Sequence, residues 1–92
     1  MALFVLTYGY NDTPQRSERR ADHLAHLERL SADGAVVAAG PLADLSGGII
    51  VLQAEDEASA QQLVEQDPYT QHGVTKDRTL QEWKLTVGSL AG

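Results

Sequence analysis

Hydrophobic and polar positions in this chain follow two rhythms, a period of two in some stretches and a helical period in others, and the switches between them predict the elements. Residues 2–8 are dense in apolar and aromatic side chains. As a strand they place Leu3, Val5 and Thr7 on one side and Phe4, Leu6 and Tyr8 on the other, so both faces are expected to be covered. A turn-rich segment, 9–14, leads into a helix over 15–32. Its Leu24, Leu27 and Leu30 form an apolar arc at about 100° per residue, and Asp33-Gly34 ends it, with Gly34 as the left-handed cap. A second strand over 35–39 runs into Gly40-Pro41. Pro41 cannot donate to a ladder and belongs at a strand end or an edge.

Residues 42–48 read as a loop in which Ser46, Gly47 and Gly48 offer free backbone N–H groups. The third strand, 49–54, is apolar on both faces. A second helix follows, with Asp56 as N-cap, Glu57 at the positive end of the helix dipole, and Ala60, Leu63 and Val64 as the packing stripe. It stops at Asp67, because Pro68 pushes the residue before it out of the helical region. Residues 68–72 suggest a short extra turn closed by Gly73, and 75–78 a loop. The last strand, 80–87, sets Gln81, Trp83, Leu85 and Val87 against Glu82, Lys84 and Thr86, and 88–92 reads as a frayed tail.

The order β-α-β-β-α-β predicts an α+β fold, a ferredoxin-like antiparallel sheet with both helices on one face, as a single domain over 1–87. Strands apolar on both faces then need a cover that two helices cannot supply. A second copy is the simplest one, giving a dimeric α+β barrel with isologous contacts, and so a homodimer or a higher homo-oligomer. The alternative is a plain apolar surface, of a size unusual on a stable monomer.

Composition narrows the classes of function. The chain has 92 residues, 42% of them hydrophobic and 22% charged, which is the balance of an ordinary globular domain. Its formal net charge of −6 argues against nucleic acid or an anionic membrane as partner. There is no cysteine, so disulfides, thiolate metal sites and cysteine nucleophiles are out. This fits a reducing cytoplasm, the expected compartment, and neither a targeting nor a membrane-spanning segment is visible. No glycine-rich loop leads from a strand into a helix, no serine has a nucleophile-elbow context, and nothing calls for a cofactor.

The candidate chemistry lies on the first helix. His23 falls inside the leucine arc, His26 lies at its edge, Asp22 and Arg29 point away, and Arg16 and Arg20 share the inner face. An imidazole and two guanidiniums turned toward a core need partners, since stranded polar groups cost several kcal/mol. A partly wet pocket would satisfy them, whereas the plainer reading is a buried rim histidine beside arginines that reach water. His23 and His26, with His72 far off in sequence, do not make a persuasive metal set.

Three segments in order, Arg20-x-x-His23-Leu24, Ala39-Gly40-Pro41-Leu42 and Asp67-Pro68-Tyr69, followed by Gly73 and Trp83, resemble the YciI-like family of small dimeric α+β barrel proteins. Ala21 stands where members often carry proline. The resemblance implies a His–Asp pair, His23 with Asp67. An Asp accepting from one imidazole nitrogen fixes the tautomer and leaves the other as a base or acid near neutral pH, while an Asp-Pro step is also a common helix cap. The expected function is a small-molecule enzyme of lyase or isomerase type, acting on an unsaturated or aromatic, anionic ligand. His23 and Asp67 would be catalytic, and Arg20, Arg16, Tyr69, Gly40, Pro41 and Ser46 would form the substrate-binding set. The competing reading is a non-catalytic metabolite-binding or assembly module.

Overall fold

In the computed structural model, which describes residues 1–89, the first strand is the spine of the sheet. Strand β1 (Ala2–Tyr10) is followed by α1 (Gln15–Glu18), α2 (Arg20–Ala32), β2 (Val36–Pro41), β3 (Gly47–Ala54), α3 (Glu57–Glu65), α4 (Pro68–Gln71) and β4 (Thr75–Trp83). The four strands run in the order β2-β3-β1-β4, every neighbouring pair antiparallel, which is the ferredoxin-like α+β arrangement. Alternation along β1 sorts two environments. Phe4, Leu6 and Tyr8 are buried beneath the helices with Ile50, Leu52, Ala60 and Val64, and Leu27 and Leu30 of α2 pack against the same cluster. Leu3, Val5 and Thr7 face the other way. There Val5, Val51, Ile49 and Trp83 line an open groove of about 460 Å³, with Ile49 39% and Trp83 38% exposed. Among the described residues no helix is long and apolar enough to cross a membrane.

Four local expectations are corrected. The helix expected over 15–32 breaks at Arg19 (φ −101°, ψ 3°), whose guanidinium Nε donates to Gln15 Oε1 at 3.0 Å. Within α2 the buried residues are His23 and His26, while Leu24, expected in the apolar arc, is 39% exposed. Gly47 and Gly48 are not loop residues but the start of β3, paired with Gly9 and Tyr8. The hairpin is closed by Leu42–Gly47 and Leu45–Leu42 backbone bonds, with Leu45 at φ 61°. Pro41 ends the edge strand β2.

The segment 75–78, expected as a loop, belongs to β4. A bulge there sets Asp77 and Arg78 against Tyr8, with Asp77 at φ 52°, and an αL residue of this kind is a usual bulge device. At the other end β4 stops at Trp83, opposite Leu3, so Leu85 and Val87 have no strand left to pair with. The tail expected over 88–92 lies partly outside the described residues.

Two glycines separate conformational from steric demand. Gly34 sits at φ 82°, and a Cβ there would meet nothing within 4 Å, whereas a Cβ at Gly47 would fall on the Tyr8 carbonyl oxygen. Gly34→Ala should therefore cost about 1–2 kcal/mol in urea unfolding, the strain of an αL alanine. Gly47→Ala should cost more, because the β1–β3 ladder itself has to part.

Candidate active site

A single carboxylate organises the site. The chain leaves α3 through Gln66, and Asp67 takes an extended conformation (φ −68°, ψ 127°) as the N-cap of α4, with Pro68 in the first turn. Proline is pre-set for that position and has no N–H to lose. Asp67 Oδ1 accepts the backbone N–H of Tyr69 at 2.9 Å and faces His23 Nδ1 at 2.8 Å, while Oδ2 lies 3.0 Å from the same nitrogen. Both side chains are buried. Capping and pairing, alternatives in the sequence, are performed by the same oxygen. The carboxylate lies at the amide-rich start of a helix rather than only at the unfavourable end of one.

His23 is held on its flat side as well. Its ring stacks on Tyr69, centroids 3.9 Å apart and planes within 3°, and the Tyr69 hydroxyl donates to the Arg16 backbone carbonyl at 2.8 Å. A carboxylate can only accept, so an ionised Asp67 takes its hydrogen bond from Nδ1–H. The neutral ring then carries its lone pair on Nε2, which has no protein partner among the described residues. Since no fully enclosed side-chain nitrogen or oxygen among them lacks a partner, Nε2 is not fully enclosed, and His23 lines the adjoining cavity.

That cavity measures about 250 Å³. His23, Arg20 and Leu24 of α2 form one wall, Tyr8 and Tyr10 of β1 another, and the Ala39–Pro41 strand end with Leu45 a third; Tyr69 and Arg16 close it. The Arg16 guanidinium lies 3.6 Å over the Tyr10 ring and reaches the Leu45 carbonyl at 3.4 Å. Arg20 makes no ion pair or side-chain hydrogen bond among the described residues, so its charge is available to a ligand. Burial pushes the Tyr69 phenol up, while Arg20 and Arg16 pull it back. Burial, then Tyr10, pushes the Tyr8 phenol well above the ordinary tyrosine range.

Seven of the eight expected site residues therefore meet: His23 and Asp67 as a bonded pair, and Arg20, Arg16, Tyr69, Gly40 and Pro41 around the cavity. Ser46 does not join them. Its N–H and hydroxyl both turn to Asp44 Oδ1, at 3.0 and 2.6 Å, within its own turn, and the neighbouring Leu45 lines the cavity instead. Tyr10, placed by the sequence in the turn-rich segment 9–14, ends β1 instead, and with Tyr8 it reaches the cavity from the Phe4–Leu6 side of the strand. The available signal was their period-two continuation of the Phe4–Leu6 face. His26, expected at the arc's edge, is buried, its Nδ1 3.4 Å from Arg29 Nη2. Among the described residues no three His, Cys, Asp or Glu side chains gather as metal ligands.

A ferredoxin-like sheet with α2 and α3 on one face, and a buried His–Asp pair beside a cavity at the β2 end, define a small α+β domain with a polar cleft. The chain belongs to the YCII-related domain family, whose family model matches residues 1–84. It is 34% identical over 68 residues to the uncharacterised protein YjpA of Bacillus subtilis (strain 168), spanning 74% of this chain and 79% of that one. Among solved structures it is similar to the 5-chloro-2-hydroxyhydroquinone dehydrochlorinase TftG of Burkholderia phenoliruptrix AC1100, in complex with 2,5-dihydroxybenzoquinone. That match has a TM-score of 0.77 and 27% identity, and covers 89% of this chain and 93% of the other.

The double duty of Asp67 has a measurable consequence for stability. Asp67→Ala removes a cap and strands the His23 Nδ1–H, and should cost about 3 kcal/mol in denaturant unfolding. Asp67→Asn keeps a capping oxygen and should cost about 1 kcal/mol.

Proposed function

We propose that this protein is a small-molecule enzyme of lyase or isomerase type, in which His23, oriented by Asp67, transfers a proton on a small unsaturated or aromatic, anionic substrate. The observation that carries this reading is the accessible Nε2 of an imidazole whose other nitrogen is fixed by a buried carboxylate. An imidazole so held is a general base near neutral pH. Nε2 takes a proton from the substrate, and the electron pair of the broken bond passes into the conjugated system. Asp67 stabilises the imidazolium, and Arg20, with Arg16 behind it, attracts the anion. Return of the proton to a different carbon is an isomerisation, and departure of an anionic group with the electron pair is an elimination. The likeness to a dehydrochlorinase seen with 2,5-dihydroxybenzoquinone supports an oxygenated six-membered ring as the substrate class.

An activity screen over hydroxylated and halogenated hydroquinones and quinones tests the reading, with His23→Ala and Asp67→Asn in parallel. Loss of the general base should lower kcat by about 10²–10⁴-fold, and Asp67→Asn should lower it too by releasing the tautomer. Turnover that survives in both variants would overturn the assignment.

We further propose that the open sheet face is covered by a second copy of the chain. Val5, Val51, Ile49 and Trp83 present a groove that no helix residue lines, and covering apolar area is worth about 25 cal/mol per Å². Folding and association would then be linked, so the melting temperature should rise with protein concentration. A stable monomer in sedimentation at micromolar concentration, with concentration-independent melting, contradicts the dimer.

A further inference from the structure

The His23–Asp67 reading leaves Tyr8 without a task. Tyr8 lies on the helix-covered face of β1, two residues beyond Leu6, and is 8% exposed. A purely apolar side chain would fill such a place at no cost in buried polarity. Its seat is unusual. The register partner of Tyr8 is Gly48, and a Cβ at position 48 would fall on the Tyr8 hydroxyl and the ring carbon that bears it. Gly48 has no left-handed φ to explain it, so what it supplies there is space. With that space the Tyr8 ring lies across β3, and the side chain lines the same cavity as His23 and Arg20.

Tyr10 stands edge-on to Tyr8, ring centroids 5.6 Å apart and planes at 83°. The Arg16 guanidinium fixes the Tyr10 face. Burial, the charge of Tyr10 and a side-chain hydrogen bond shared with it, and the Asp67 charge push the Tyr8 phenol above the ordinary tyrosine range, so it keeps its proton wherever an imidazole can act as base and can turn it from Tyr10 to a ligand oxygen.

Resting on the proton-transfer reading above, we propose that Tyr8 is a further catalytic residue of this site: its hydroxyl donates a hydrogen bond to the substrate oxygen on which charge collects while His23 holds the proton, and Gly48 seats it. The balance is simple. The proton moves from substrate to Nε2, the electron pair of the broken bond is delocalised onto the conjugated oxygen, and the Tyr8 O–H bond stays intact. When the pair returns to carbon or leaves with a departing anion, the hydrogen bond weakens again. Preferential bonding to the charged oxygen is the kind of contact that speeds a chemical step. A merely structural ring covering a glycine, a known use of aromatics in sheets, would be served equally by phenylalanine.

The test uses 2,5-dihydroxybenzoquinone as an oxyanionic ring probe, titrated by its visible absorbance into the parent protein and into Tyr8→Phe, Gly48→Ala and His23→Ala, with thermal unfolding of each. Tyr8→Phe should keep the parent's melting temperature, weaken probe binding about tenfold or more and shift the bound absorption band. Gly48→Ala should also weaken binding by displacing the ring. If Tyr8→Phe binds as tightly as the parent with an unshifted band, while His23→Ala loses affinity, the Tyr8 role is overturned and the His23 reading stands. Absence of binding by the parent protein overturns both.

Discussion

The bond between the Asp67 carboxylate and His23 Nδ1 is the contact on which the rest of the site depends. It joins α2 to the α3–α4 junction across 44 residues of chain, and both partners are nearly closed to water. A buried carboxylate is tolerated only where donors replace its hydration. Here the donors are one imidazole N–H and the amide of Tyr69. The same few atoms thus set the start of α4, the place of the Tyr69 ring under the imidazole and the direction of Nε2. Geometry fixed this tightly is what a positioned base requires.

The sheet supplies the other constraint. β1 is paired on both sides, so its side chains are held in register, and the face that carries Phe4 and Leu6 into the core carries Tyr8 and Tyr10 into the cavity. Aliphatic burial and cavity chemistry lie on one strand, separated only by how far each residue is from the helix-packed centre. The bulge opposite Tyr8 lies at this same point, where sheets commonly re-aim side chains beside functional clefts.

Much of this was legible in the residues, and the gaps have physical causes. Apolar runs covered on both faces identified β1 and β3, and the Asp-Pro-Tyr and Arg-x-x-His segments marked both ends of the buried pair. The break at Arg19 was invisible because residues 15–32 contain neither proline nor glycine; a side-chain bond to Gln15 accompanies it. Gly47-Gly48 signalled a turn, as glycines do in a local reading, although their smallness serves the close approach of β1. The first half of β4 lies mostly exposed on an edge, so alternation had no buried face to record. Leu85 and Val87 continued the pattern past the point where β1 offers a partner. That one carboxylate oxygen both caps and pairs could not be read from spacing, since it depends on two elements meeting in space.

Everything proposed for the site requires that Asp67 fix the His23 tautomer and leave Nε2 as the free base. Long-range nitrogen–proton correlation NMR on the neutral imidazole of His23 addresses this directly. The expected spectrum places the proton on Nδ1 and leaves Nε2 unprotonated, a preference that Asp67→Ala should abolish. A neutral His23 with its proton on Nε2 would contradict it.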